Sequence, residues 1–252
     1  MKIDFPVPSQ YDALSALWQE AFGDSEEFVD GFFYTGFSPS RCRCVVENEE
    51  VVAALYWFDA LHGNQRFAYV YAVAVAKAHQ GKGIGTALME DTHAHLKLRG
   101  YEGVLLLPQE EGLRKMYAKL GYSDCTKVRE FSCQAGEEAV EIHRIDREEY
   151  ARLRRTYLPE NGAIQEEENI AYLEMMAFFY AGDNFLLAAR KQGQSLKGLE
   201  LLGNAEAAPG ILAALSCAEG SFRTPGDEKK FAMFHPLVAS AVPPAYLGLV
   251  FD

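Results

Sequence analysis

The residues best placed to do chemistry lie in one run, Val75-Ala76-Lys77-Ala78-His79-Gln80-Gly81-Lys82-Gly83-Ile84-Gly85-Thr86. Glycine has no Cβ, so the backbone turns tightly there and a ligand can approach its amides. The run leaves a buried strand and opens a helix. The first amides of a helix have no partner within it, and the helix dipole favours negative charge at that end. The pattern predicts a cradle for phosphate oxygens, with Lys82 adding charge at its rim. Spacing then separates the ligand classes. An ATPase loop needs Gly-x-x-x-x-Gly-Lys-Ser/Thr, but Ala76 stands at the first glycine position and Gly83 follows the lysine. A dinucleotide fingerprint, Gly-x-Gly-x-x-Gly, would end on Thr86 if it began at Gly81. What does fit is Gln-x-x-Gly-x-Gly, at Gln80, Gly83 and Gly85.

Several elements must position this loop. Phe67 to Val75 is rich in Val, Tyr and Ala and reads as the buried strand that enters it. A helix is expected from Ile84 to Leu98, stopped by Gly100. Upstream, Leu14, Leu17, Trp18 and Phe22 mark one face of a helix over Tyr11 to Phe22, and Ser25 is placed to cap a second helix through Phe33. Cys42 to Val46 and Val51 to Phe58 flank a hairpin signal at Glu47-Asn48-Glu49-Glu50, and Gly63-Asn64 marks another turn. Downstream come a short buried strand at Val104 to Leu107, a helix at Leu113 to Leu120 and a strand over Tyr122 to Cys133.

With the neighbouring elements in place, the sequence resembles the GNAT superfamily, the acyl-CoA-dependent N-acyltransferases. The resemblance rests on the strand Tyr71-Ala72-Val73-Ala74-Val75, the glycine loop, Gly100-Tyr101, the strand Val104-Leu105-Leu106-Leu107, and Leu113-Arg114-Lys115-Met116-Tyr117-Ala118-Lys119-Leu120-Gly121-Tyr122. It implies an α+β fold: a mixed, mostly antiparallel central sheet flanked by helices. It implies coenzyme A as the carrier of the acyl group, its pyrophosphate on the amides of Gln80, Gly81, Lys82, Gly83, Ile84, Gly85 and Thr86. Backbone groups of Val73, Ala74 and Val75 would border the pantetheine, and Tyr117 matches the family tyrosine that protonates the leaving thiolate. Acetyl-CoA would be the donor and a primary amine, of a small molecule or a protein, the acceptor. One departure concerns the asparagine that the family often places seven residues before the tyrosine. Here Glu110 stands there, and an ionised carboxylate cannot donate as an amide does.

The general base is not fixed by this pattern. Tyr69, Tyr71, Asp59, His62, Glu110 and Asp24 are candidates, as is the carboxylate of Asp252, since some tandem members of the family use a chain end in this way. Each has a structural alternative: His62 as an exposed turn residue, Asp24 as part of a capping turn. The aromatic set Phe32, Phe33, Tyr34, Tyr56, Trp57 and Phe58 can line an acceptor pocket, but strand alternation sends part of it into the core. Glu137-Glu138 and Glu166-Glu167-Glu168 read as solvated surface.

Composition narrows the function classes. The chain has 252 residues, 49% of them hydrophobic and 24% charged, so it can bury a substantial core and is globular. Its net charge of −12 argues against a nucleic-acid binder with a basic face. The longest apolar run, Phe67 to Ala76, is too short for a membrane helix, and the N-terminal residues lack the apolar segment of a secretory signal. The 5 cysteines are scattered and odd in number, which suits reduced thiols in a cytoplasmic protein. They lack ligand partners at zinc spacing, and His93 and His95 diverge on one helix, so no metal is expected. An oligomer is compatible with all of this.

A second unit is expected from residue 138. An offset of 139 residues aligns Ile3 with Ile142, Tyr11 with Tyr150 and Leu14 with Leu153. Phe185 to Arg190 and Leu196 to Leu202 form a hairpin about Lys191-Gln192-Gly193-Gln194, with a helix near Ile211 to Cys217 and strand-like runs at Phe231 to Phe234 and Tyr246 to Phe251. The corresponding loop, Gly203 to Gly210, lacks the phosphate-cradling spacing. The organisation expected is a catalytic domain over 1–137 and a degenerate half of the same type over 138–252 that binds no coenzyme. Two functions remain in competition: an N-acetyltransferase, and an acyl-CoA sensor that has lost turnover.

Overall fold

The computed structural model describes residues 1–251 and packs as two units. The first comprises Met1–Ser123 with Met233–Pro243; the second comprises Asp124–Ala232 with the described residues from Pro244 onward.

In the first unit, strand β1 (Lys2–Asp4) leads to helices α1 (Tyr11–Phe22) and α2 (Glu26–Thr35). Leu14, Leu17 and Trp18 are the buried face of α1, as their spacing requires. Gly23 closes that helix in the left-handed region, at φ 73°. Ser25 caps α2 by accepting from the Phe28 amide at 3.3 Å. Strands β2 (Cys42–Glu47), β3 (Glu50–His62) and β4 (Gln65–Val75) form an antiparallel meander. Its first turn places Asn48 and Glu49 at positive φ, as a tight hairpin requires. Helix α3 (Ile84–Leu98) crosses over to β5 (Gly103–Leu106), which pairs in parallel with β4. Helix α4 (Glu111–Lys119) and the short β6 (Ser123–Asp124) follow. Leu55, Trp57, Val70, Leu88, Leu96 and Leu106 share one core between the sheet and the helices.

The second unit begins with β7 (Lys127–Gln134) and β8 (His143–Ile145), then α5 (Arg147–Tyr157) and α6 (Glu168–Glu174). Strands β9 (Phe178–Gly182), β10 (Phe185–Gln192) and β11 (Ser195–Gly203) form a second meander. Helix α7 (Ala208–Ala214) leads to β12 (Glu219–Pro225), parallel to β11, and β13 (Lys229–Lys230) follows. Phe185, Leu187, Leu201, Ile211, Leu212 and Phe222 build its core. The carboxylate of Glu200 is fully buried and fully answered. It accepts from Arg154 Nε at 2.8 Å and Nη2 at 3.0 Å, and from the hydroxyls of Tyr150 at 2.6 Å and Tyr246 at 3.1 Å.

The last strand, β14 (Met233–Pro236), pairs antiparallel with β5 and so completes the first sheet. The two seven-stranded sheets run β1-β2-β3-β4-β5-β14-β6 and β8-β9-β10-β11-β12-β7-β13, written here from the edge opposite β13. Over the first six strands of each, the directions agree: three antiparallel pairs, one parallel, one antiparallel. The first sheet therefore takes its sixth strand from beyond the second sheet in sequence, whereas the sixth strand of the second sheet, β7, is the first of that unit in the chain.

Packing divides at Ser123/Asp124, because β7 pairs along its length with β12. Two expectations differ from this arrangement. The run Phe231 to Phe234 belongs in part to the first sheet, through β14. Tyr246 to Phe251 is no strand. It is an irregular segment with a single bridge, Gly162 to Tyr246, held where the Gln165 side chain both donates to the Leu249 carbonyl and accepts from its amide.

Candidate active site

The parallel pairing of β4 with β5 runs from Phe67↔Gly103 to Val70↔Leu106 and stops there, while β4 continues to Val75. Pro108, just beyond β5, has no amide to continue the ladder. Between Ala54↔Ala74 and Tyr56↔Tyr71 the register with β3 also shifts, and Ala72 takes up the extra residue at φ 50°. The last turn of β4, including Val73, Ala74 and Val75, is thereby bent and left without β5 as a partner.

The glycine loop follows. Gly81 and Gly83 both adopt left-handed backbone, at φ 74° and 78°, and an added Cβ at either would meet nothing within 4 Å. Glycine is needed there for conformation, and the surface over the loop stays open. Gly83 is the N-cap of α3 and supplies no capping side chain; the first helical bond runs from the Ala87 amide to the Gly83 carbonyl at 3.0 Å. The amides of Ile84, Gly85 and Thr86 thus face outward, and no acidic residue occupies the first turn. These are the features of an anion cradle, and they fit the diphosphate expected from the sequence. Ile84 is buried and anchors the helix start on the sheet. The Gln80 side chain donates to the Val75 carbonyl at 3.1 Å, tying the loop to the strand end. The Glu20 carboxylate accepts from the Lys77 amide at 3.3 Å. Lys82 is exposed.

Tyr117 lies on α4, 6% exposed, edge-on to Tyr122 with 5.7 Å between ring centroids. No described residue hydrogen-bonds its hydroxyl. Burial pushes its pKa up to about 12, so the phenol keeps its proton at neutral pH. Glu110 is the N-cap of α4, and its carboxylate folds back over Gly112, with Oε1 3.3 Å from where a Cβ of that glycine would stand.

The candidate bases are placed as follows. Asp24 does not cap α2; its carboxylate accepts from the buried Trp18 indole at 2.8 Å and pins the turn between the two helices. Asp59 pairs with Arg66 at 2.7 Å and accepts from the Tyr101 hydroxyl, so it is engaged at the opposite end of β4 from the loop. His62 is half-buried, stacked on Phe67 at 6.0 Å, rather than exposed in a turn. Tyr69 is buried, and Tyr71 packs on Trp18 at 5.5 Å. Asp252 lies outside the described residues. In the aromatic set, Phe32 meets Trp18, Tyr56 and Phe58, with centroids 4.6, 5.0 and 6.2 Å away, on the α1–α2 side of the sheet. Trp57 faces the other way and donates to Tyr101 at 3.3 Å, and Tyr34 is 89% exposed. Glu166 pairs with Arg155 instead of standing free in solvent.

Two features escape the sequence. The Tyr56 hydroxyl is buried without a hydrogen-bond partner amid these aromatic rings. Behind Tyr117 stands an array formed by Tyr122, His93 and His235, the two imidazoles stacked at 4.4 Å. His235 comes from β14, so no local signal links it to α3 or α4.

The parting of β4 from β5 beyond Val70↔Leu106 and the uncapped start of α3 give the first unit an anion-accepting helix end next to a bent strand. Residues 7–122 match the acetyltransferase (GNAT) family, and that part of the chain is a GNAT acetyltransferase domain. Among solved structures, a GCN5-related N-acetyltransferase from Kribbella flavida is similar at 20% identity and TM-score 0.69, over 92% of this chain and 70% of that one. A second from Anabaena variabilis is similar at 13% identity and TM-score 0.73, over 94% and 73%. Eis1 from Mycobacterium abscessus is similar at 12% identity and TM-score 0.70, over 94% and 74%. At these identities the likeness is one of fold. It covers both halves of the chain, and the second sheet is GNAT-like as well. No functionally curated protein matches the chain.

Proposed function

We propose that the protein is an N-acetyltransferase that moves the acetyl group of acetyl-CoA directly onto a primary amine. The observation that carries this is the pair of left-handed glycines, Gly81 and Gly83, opening an uncapped α3 after the end of β4 that β5 leaves without a partner on its side. When bound, acetyl-CoA supplies an activated acyl group and departs as a thiolate. The amides from Gln80 to Thr86 hold its diphosphate. Backbone groups of Val73, Ala74 and Val75 orient the pantetheine arm, and a strand amide stabilises negative charge developing on the carbonyl oxygen. Holding amine and thioester together supplies much of the acceleration. Tyr117 carries the proton for the departing sulfur, which its raised pKa makes available across the neutral range.

The acceptor is a small-molecule or protein amine, received on the α1–α2 side, where Phe32, Tyr56 and Tyr71 gather. The net charge of −12 favours a cationic acceptor through steering. A cytoplasmic location is supported by the five cysteines, none of which is joined in a disulfide among the described residues. No described helix is long and apolar enough to cross a membrane.

Calorimetric titration of wild type and Gly83→Trp with acetyl-CoA, coenzyme A and ATP tests the donor. Binding of both coenzyme forms, lost in the variant and absent for ATP, is the expected result. Absence of coenzyme binding to the wild type refutes the proposal. A panel of amines then separates turnover from the sensor reading, in which acetyl-CoA binds and no amine is acetylated.

A further inference from the structure

Behind Tyr117 the chain leaves α4 through Gly121 into Tyr122, and side chains from three separate elements converge there. Nε2 of His93, on α3, shares a hydrogen bond of 2.7 Å with the Tyr122 hydroxyl. His235, on β14, stacks on His93 with 4.4 Å between ring centroids and 13° between planes. Tyr122 packs on His235 as well, with centroids 5.2 Å apart, and meets Tyr117 edge-on. Strand register explains how β14 reaches this place. Met233 lies opposite Leu106 and His235 opposite Val104, so β14 turns both side chains to the face of the sheet that carries Tyr117 and Tyr122. The order inward from α4 is therefore Tyr117, Tyr122, then the two imidazoles.

These contacts hold Tyr117 through both backbone and side chain. The Tyr117 carbonyl accepts from the Leu120 amide at 2.9 Å and from the Tyr122 amide at 3.1 Å. Gly121, between them, sits at φ 85°, and a Cβ there would stand 3.0 Å from Nδ1 of His235. Glycine thus serves both the turn and the close approach of the imidazole. Nδ1 of His235 is buried and has no hydrogen-bond partner among the described residues. A hydrocarbon side chain would fill the slot without that cost, so stability alone does not account for an imidazole. The flat ring fits between His93 and the Gly121 turn. Burial lowers the His93 pKa to about 4, so its imidazole stays neutral at neutral pH and its bond to the Tyr122 phenol persists. The Tyr117 hydroxyl is hydrogen-bonded by no described residue, so packing against Tyr122 is what fixes the direction of its ring. A side chain that reacts must be held to a narrow range of orientations by its neighbours.

We propose that His235 is a positioning residue for acetyl transfer: acting through His93 and Tyr122, it holds the Tyr117 ring in the orientation that serves proton donation. The inference rests on the proposed role of Tyr117 as the proton donor. It makes the last strand of the first sheet part of the reaction as well as part of the fold.

The test is a double-mutant cycle on the full chain, read by steady-state acetylation of the best amine in the panel. His235→Ala and Tyr122→Phe are each made in the native chain and in Tyr117→Phe. In the native chain each should lower kcat by about tenfold or more, while KM for acetyl-CoA and the calorimetric affinity for coenzyme A change by less than about twofold. In Tyr117→Phe neither should lower kcat further, because the hydroxyl they position is gone. His93→Gln can still bond the Tyr122 hydroxyl and should keep more of the rate than His93→Leu. Tyr122→Phe keeps the ring and removes only its hydroxyl, so it carries the test if His235→Ala does not fold. Full kcat in either variant overturns the proposal, as do losses of equal size with and without the Tyr117 hydroxyl. Coenzyme A binding with no amine acetylated by the wild type, or undiminished kcat in Tyr117→Phe, removes the reading on which the proposal rests, and the proposal with it.

Discussion

The Tyr122 hydroxyl and Nε2 of His93 lie 2.7 Å apart inside the first unit, and His235 stacks on the far face of the same imidazole. Burial, and the neighbouring His235, lower the His93 pKa from 6.5 to about 4. The unfolded chain therefore takes up this proton first as pH falls. The contribution of His93 to stability is complete above pH 6.5, declines as pH falls towards 4, and levels off below. The slope is at most about 1.4 kcal/mol per pH unit. Unfolding free energies from urea titration between pH 4 and 7 should show this decline, and His93→Gln should flatten it. An unchanged slope in the variant rules out His93 as its source.

Tyr117→Phe keeps the ring and removes only the hydroxyl. Rates of acetyl transfer should fall by about a hundredfold or more while coenzyme affinity is retained. Because the native phenol is held at about 12, the wild-type rate profile should show no loss from Tyr117 ionisation at neutral or mildly alkaline pH. Equal loss of coenzyme binding and turnover would instead assign Tyr117 to packing.

Arg154→Met strands the Glu200 carboxylate in the core of the second unit. The cost should be about 3–5 kcal/mol, and Arg154→Met/Glu200→Leu should recover a large part of it, because removing one partner of a buried pair is worse than removing both. Denaturant midpoints of the three proteins decide this.

At Gly103 a Cβ would stand 2.2 Å from Cε2 of Phe234, the ring that packs on Phe67 at 5.1 Å. Gly103→Ala should cost about 1–3 kcal/mol through overpacking, and Phe234→Leu in the same chain should return part of it. Thermal melting of the single and double variants is the measurement.

What was legible in the sequence was local. The glycine loop and α3 follow from adjacent residues: Gly81 and Gly83 for the backbone, Ile84, Leu88 and Leu96 for the buried face. The hairpin at Asn48-Glu49 and the β10–β11 hairpin were legible for the same reason. The pairing of β7 and β14 was not. The half-buried alternation of Arg129, Phe131 and Cys133 marks a strand but carries no information about which sheet receives it. The site divides in the same way. The left-handed glycines and the helix start could be read directly, whereas the engagement of Asp24 by Trp18 and of Asp59 by Arg66 depends on where side chains fall in three dimensions.

The late position of β14 in the chain also orders events during synthesis. The ribosome delivers β5 some 130 residues before the strand that closes the sheet beside it. At ordinary translation rates the first sheet waits on the order of ten seconds with an open edge at β5. A chain truncated before Met233 therefore leaves β5 without its antiparallel partner, and the first sheet ends on an open edge there.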